Sequence, residues 1–153
     1  MHPAPREKEG GLTVKLFKGH YTRKGDAVAV ARASYEAYGR KDRAAIEKPI
    51  ADDFHFTSPL DNRIDHSTYF ARCWPNSERI EGFDFIKLVP DGDRVFVTYE
   101  GRSTGGHGFR NTEIVTVRDG RIVDVEVYFG WPIPHKAVSG GFLPDTEDQV
   151  SSV

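Results

Sequence analysis

Residues 108–130, GFRNTEIVTVRDGRIVDVEVYFG, set Asp119-Gly120 between two runs rich in β-branched residues. An Asp-Gly pair accepts the positive φ angles of a type I′ turn, whose twist matches that of the strands it joins. The stretch therefore predicts a β-hairpin, and the hairpin sets the phase of both strands. Asn111, Glu113, Val115 and Val117 share one face before the turn, and Thr112, Ile114 and Thr116 share the other. After it, Val123, Val125, Val127 and Phe129 fall on one face, with Asp124, Glu126 and Tyr128 opposite. An apolar face carrying a carboxylate, Glu113, near its open end predicts the wall of a pocket.

The rest of the chain supplies what such a wall needs. Residues 1–24 hold prolines, glycines and six Lys or Arg around one short apolar run, and read as an extended, solvated arm with a strand at 13–17. A helix is predicted over 26–38, capped by Asp26 and stopped by Gly39, with Val28, Ala31, Tyr35 and Tyr38 at helical spacing. Asp42 caps a short helix over 43–48. DDFHFTSP alternates as a strand, LDNR is turn-rich, and Asp65 caps a third helix that Pro75 ends. Strands follow at 82–89, 94–103 and 109–118, then the last strand of the hairpin. Residues 134–153 read as a loose surface tail. Helices, one strand, a helix and a four-stranded antiparallel meander define one α+β domain over 25–133, a curved sheet wrapped over helices as a cone with an apolar cavity.

Charge and composition exclude several partners. In 153 residues the net charge is -2, with no global bias towards nucleic acid or anionic membranes. No apolar run reaches the roughly 20 residues of a membrane span, and no secretory leader is evident, so a cytoplasmic location is expected. Cys73 is the only cysteine, and the six histidines form no metal-binding pattern, so neither a disulfide nor a metal is expected.

The helix ending YGRKD, the segment ADDFHFTSPLDN and the terminal VRDGRIVDVEVYFG, in that order, resemble the nuclear-transport-factor-2-like superfamily, in particular its SnoaL-like branch. The resemblance covers roughly residues 26–131. It implies a cone-shaped α+β barrel and a homodimer packed through the outer sheet face, here Thr112, Ile114, Thr116, Asp124, Glu126 and Tyr128. Members include steroid isomerases, polyketide cyclases, dehydratases and epoxide hydrolases, alongside proteins that only bind. Two diagnostic positions depart from the enzymes. Where ketosteroid isomerases place a base before the proline, this chain has Ser58. Where limonene-type epoxide hydrolases place an aspartate on the last strand, it has Val127. The acid of the isomerases' oxyanion hole aligns with Glu113, and their tyrosine falls near Ser34 or Tyr35.

Glu113 is thus the sharpest candidate for chemistry, since a buried carboxyl keeps its proton to higher pH. The plainer alternative is a Glu that reaches solvent or pairs with Arg102 or Arg110. Asp61, in the turn after Pro59, could replace the base absent at Ser58, although Asp-Asn in a turn commonly bonds its own backbone. Tyr35 or Tyr38 would be an auxiliary hydrogen-bond donor. Phe56, Ser58, Phe70, Trp74, His107, Asn111, Val127, Phe129 and Trp131 complete the expected lining. An aromatic lining suits a flat, largely apolar ligand with one or two polar handles. The expected function is binding of a small hydrophobic or aromatic molecule, with cofactor-free isomerisation, cyclisation or dehydration as its chemistry. The alternative is a non-catalytic binding or dimeric assembly protein.

Overall fold

The computed structural model describes residues 24–145. The strand expected at 13–17 and the acidic end of the tail lie outside them. In chain order the elements are α1 (Lys24–Gly39), α2 (Arg43–Glu47), β1 (Ile50–Ser58), β2 (Asp61–Asp65) and α3 (His66–Arg72). A 3-10 helix (Trp74–Arg79) then leads into β3 (Ile80–Asp91), β4 (Arg94–Ser103), β5 (Gly108–Arg118) and β6 (Arg121–Ile133). One sheet holds all six strands in the order β2-β1-β6-β5-β4-β3, curved, unclosed and packed on the helices. This is the expected α+β cone. No helix among the described residues is long and apolar enough to cross a membrane.

The helices form where the caps predict. Asp42 accepts from the backbone N–H of Ala45, and Asp65 from that of Thr68, at the starts of α2 and α3. The first helix differs. It begins at Lys24, so Asp26 lies within it rather than capping it. It ends at Gly39, but the left-handed residue that closes it is Lys41, at φ 59°, with Lys41 N–H donating to Tyr38 and Asp42 N–H to Ala37. Those two bonds make a Schellman close. Ala27, Ala31 and Tyr35 form the buried stripe of α1, and the two alanines let the helix lie close on the sheet. Pro75 ends α3 but sits in the first turn of the 3-10 helix, where its missing N–H costs nothing.

The sheet departs from a plain meander in three places. The turn-rich LDNR is strand from Asp61 on: Pro59 and Leu60 reverse the chain, and β2 pairs antiparallel with β1. β1 in turn lies parallel to β6, so the sheet is mixed. The phase of β6 also shifts. Thr116 pairs with Asp124 and Val117 with Ile122, leaving Val123 as an extra residue. Ile122 therefore joins Val125 and Val127 in the core, and Val123 does not. Bulges of this kind bend a strand and sharpen its twist. They recur in the β1–β2, β1–β6, β3–β4 and β5–β6 ladders, which accounts for the curl of the sheet. Only β4–β5 is continuous, from Arg94 opposite Thr116 to Arg102 opposite Gly108.

At Asp119 and Gly120, φ is 52° and 74°, and Arg118 pairs with Arg121 across the expected two-residue turn. A second bulge, at Gly130, separates Asn111–Phe129 from Arg110–Trp131. An ideal Cβ at Gly130 would stand 2.1 Å from the carbonyl oxygen of Arg110, a backbone atom that cannot step aside. Gly130→Ala should therefore lower unfolding free energy by at least about 2 kcal/mol in urea titrations. Gly120→Ala, whose added methyl meets nothing within 4 Å, should cost only the backbone strain of about 1 kcal/mol.

Candidate functional site

The ends of β1, β4 and β6 and the starts of β3 and β5 meet at one rim of the cone, as their pairing requires. Beneath it lies a cavity of about 400 Å³, within the range of small-molecule sites. Ile46, Ile50, Val115 and Ile122 line it near the strand ends away from that rim, and Ser58, Leu60, Asp61, Asn76, Arg79, Ser103 and Phe129 line it near the rim. Between them, three polar side chains from three elements converge.

Glu113 of β5 is at the centre. Its Oε2 accepts a hydrogen bond from the Tyr35 hydroxyl of α1 at 2.5 Å. Its Oε1 accepts from the Tyr99 hydroxyl of β4 at 2.6 Å. Asn111 Nδ2 donates more weakly to the Tyr99 hydroxyl, at 3.4 Å, while Asn111 Oδ1 accepts from Gly130 N–H at 3.2 Å. The unbroken β4–β5 register explains the convergence, because Tyr99 pairs with Asn111 and Val97 with Glu113, all facing inwards. Rings hold the donors in place. Tyr35 meets Phe83, Phe85 and Tyr99 at centroid distances of 5.3–5.5 Å, and Phe83 packs edge-on against Tyr99 at 5.1 Å.

Among the described residues no arginine neutralises Glu113. Arg102 pairs with Asp84 and Arg110 with Glu100 instead. Burial raises the Glu113 carboxyl above the ordinary carboxylate range, and the hydroxyls of Tyr35 and Tyr99 hold that rise back. Burial, then the neighbouring Glu113 charge, pushes both tyrosines well up, so they remain protonated donors. A carboxylate has about four acceptor positions, and two here receive hydroxyls. The remaining lone pairs can take a proton from a cavity ligand.

Asp61 lies at the rim in a different state. Its Oδ2 accepts from the Ser58 hydroxyl at 2.7 Å, and its Oδ1 is engaged by the Arg72 guanidinium. Ser58 also accepts from Leu60 N–H, which closes the β1–β2 turn. Cys73 borders the cavity, but burial pushes its thiol up to about 11, leaving it un-ionised near neutral pH. Tyr38 donates to the Cys73 carbonyl at 3.0 Å rather than to Glu113. Among the described residues no three His, Cys, Asp or Glu are grouped to hold a metal.

Tyr35, Tyr38, Phe56, Ser58, Asp61, Asn111, Glu113, Val127 and Phe129 all line the cavity. Phe70, Trp74, His107 and Trp131 do not. Phe70 packs between Arg43, His66 and Trp74 on the helical side. Trp74 meets Tyr38 edge-on from outside the cavity, and His107 is exposed in its turn. Trp131 stacks against Arg110 and His135, because the Gly130 bulge puts it out of phase. Sequence reasoning missed Tyr99, Phe83, Phe109 and Arg79. Tyr99 was the most accessible of these, since Val95, Val97 and Tyr99 alternate on the strand beside Glu113.

The model of the SnoaL-like domain family matches residues 31–125, more than half of the chain. No curated protein matches the sequence. Among solved structures, the chain is similar to a candidate ketosteroid isomerase from Kribbella flavida, at 14% identity and TM-score 0.61, covering 84% of this chain and 89% of that one. It is similar to an LEH-like epoxide hydrolase of M. tuberculosis at 21% identity and TM-score 0.59, covering 69% and 84%. An NTF2-like protein of unknown function from Cytophaga hutchinsonii aligns at 19% identity and TM-score 0.55, covering 68% and 89%. At these identities the likeness is one of fold.

The charge state of Glu113 is testable through stability. A carboxyl whose pKa is higher folded than unfolded favours the fold fully below its unfolded pKa, and that contribution is lost as pH rises through the folded value. The stability of Glu113→Gln minus that of the native chain should therefore be flat in acid and climb across that window. Side-chain NMR should show Glu113 titrating above ordinary glutamates, and higher still in Tyr35→Phe, which removes one stabilising hydroxyl.

Proposed function

The chain belongs to the SnoaL-like domain family, and on that premise we propose that its cavity takes up a small, largely apolar molecule and moves a proton on it through Glu113, without a cofactor. The observation that carries this reading is the buried carboxylate held by two tyrosine hydroxyls and, among the described residues, by no cation. A group with raised proton affinity in a desolvated site is suited to general acid–base work near neutral pH. Glu113 accepts a proton from an acidic C–H of the ligand and returns it to another carbon or to a departing oxygen. The first outcome is an isomerisation, the second a dehydration. Tyr35 and Tyr99 keep the carboxylate aimed in both protonation states. Asp61, committed to Arg72 and Ser58, ties the β1–β2 turn to α3 at the rim and leaves Glu113 to act alone.

That same commitment of Asp61 favours the second reading, a protein that binds its ligand without changing it. No second carboxylate free of a cation lines the cavity among the described residues. On the same footing we propose that two copies pair through the outer face of β5 and β6. Sedimentation at micromolar concentration should give a dimer.

Hydrogen–deuterium exchange separates enzyme from binding module. 2-Tetralone, an apolar ketone with acidic C–H bonds, incubated in D2O should exchange faster with the protein than in buffer. Glu113→Gln should lower the enhancement by about 10²-fold or more while ligand affinity holds within about threefold, under 1 kcal/mol. Binding without enhancement would establish the binding-module reading.

A further inference from the structure

Three charged residues line the cavity: Asp61, Glu113 and Arg79. Asp61 is paired with Arg72, and Glu113 is bonded by two hydroxyls. Arg79 differs from both. Among the described residues it forms no ion pair and no side-chain hydrogen bond; the other rim arginine, Arg72, is already taken by Asp61. Arg79 stands at the end of the 3-10 helix, and its backbone is pinned there. Its carbonyl accepts from Thr104 N–H at 2.9 Å, and the next residue, Ile80, pairs with Ser103.

The helix type supplies a companion. In a 3-10 helix, side chains three residues apart eclipse one another, so Asn76 and Arg79 share the face that borders the cavity, and both line it. Glu78 is turned about a third of a revolution away and forms no ion pair among the described residues. Ser103 faces the same opening from β4. A guanidinium, an amide and a hydroxyl thus stand over an aromatic cavity whose other polar clusters among the described residues are already bonded within themselves: Ser58 and Asp61 with Arg72 at the rim, and the Glu113 group deeper in.

We propose that the ligand of this cavity is an organic carboxylate, with an apolar, ring-bearing body that fills the cone and an anionic end held at the rim by Arg79, Asn76 and Ser103. This deepens the proposed function and rests on it. The planar fork of a guanidinium matches a carboxylate in two parallel bonds, and Asn76 and Ser103 add donors. One cation suits a monoanion; a phosphate dianion would leave a charge unmatched over an apolar cavity. The arrangement also orients the ligand. With its anionic end outside, the carbon skeleton points inward, and the negative charge is kept away from the Glu113 carboxylate.

Isothermal titration of the full chain with 2-naphthylacetate and with its methyl ester tests this. The acid should bind the native protein roughly tenfold or more tightly than the ester, as a charge-assisted contact implies, with the preference shrinking as salt rises. Arg79→Gln should erase the preference and leave ester affinity unchanged, and Arg79→Lys should keep part of it. Because Arg79 is exposed, neither substitution threatens the fold. Val127→Trp, which fills the cavity, should abolish binding of both compounds. Equal binding of acid and ester, lost in Val127→Trp, would overturn the anion assignment and leave the ligand-binding reading standing. A preference that survives in Arg79→Gln would overturn the role of Arg79. Failure of both compounds to bind would overturn both readings together.

Discussion

The hydrogen bonds from Tyr35 and Tyr99 to Glu113 are what the interior of this protein depends on. A carboxylate taken from water into an apolar cavity is costly unless its oxygens are satisfied. An arginine would satisfy them and cancel the charge. Two hydroxyls satisfy them and leave the charge in place, so the carboxyl stays buried, aimed and able to change protonation. The surrounding structure serves that arrangement. Ala27 and Ala31 bring α1 close enough for Tyr35 to reach across, and Phe83 and Phe85 fix its ring. The continuous β4–β5 ladder keeps Tyr99 and Glu113 on one face.

Legibility in the sequence followed the range of the forces involved. The Asp119-Gly120 turn, the caps at Asp42 and Asp65 and the alternation of β5 are local, and all were readable. Glu113 could be placed facing the cavity because no bulge intervenes between it and Val115 and Val117. Bulges are not local in that sense. The extra residue at Val123 and the one at Gly130 arise from how β6 fits the neighbours on either side. They move Ile122 into the core and Trp131 out of the cavity against simple alternation. The β2 strand was hidden for a related reason: Leu-Asp-Asn-Arg has turn composition, and becomes a strand only because β1 offers it an edge.

The site was legible in part and on the same terms. The carboxylate was visible from phase, and one of its two hydroxyl partners, Tyr35, from helical spacing. Tyr99 required knowledge of which strand lies beside β5 and in what register, and pairwise register is a tertiary property. Asp61 lines the cavity near its mouth, yet its pairing with Arg72 joins a strand to the end of a helix eleven positions on, which no short-range pattern announces. The aromatic residues were the least legible group, since burial and cavity lining draw on the same residue types. Phe70 and Phe56 read alike in the sequence, and only one of them lines the cavity.

The distribution of bulges has a further consequence for how such a domain can change. Four of the five ladders carry an irregularity, three of them near the rim, while the β4–β5 ladder, which carries the carboxylate and the Tyr99 hydroxyl, has none. Insertions and exchanges at the rim can reshape the mouth without shifting the phase of Glu113. The shape of the mouth and the setting of the buried carboxyl thus sit on separately mutable parts of one sheet, and a lineage can drift in the first while the second is held.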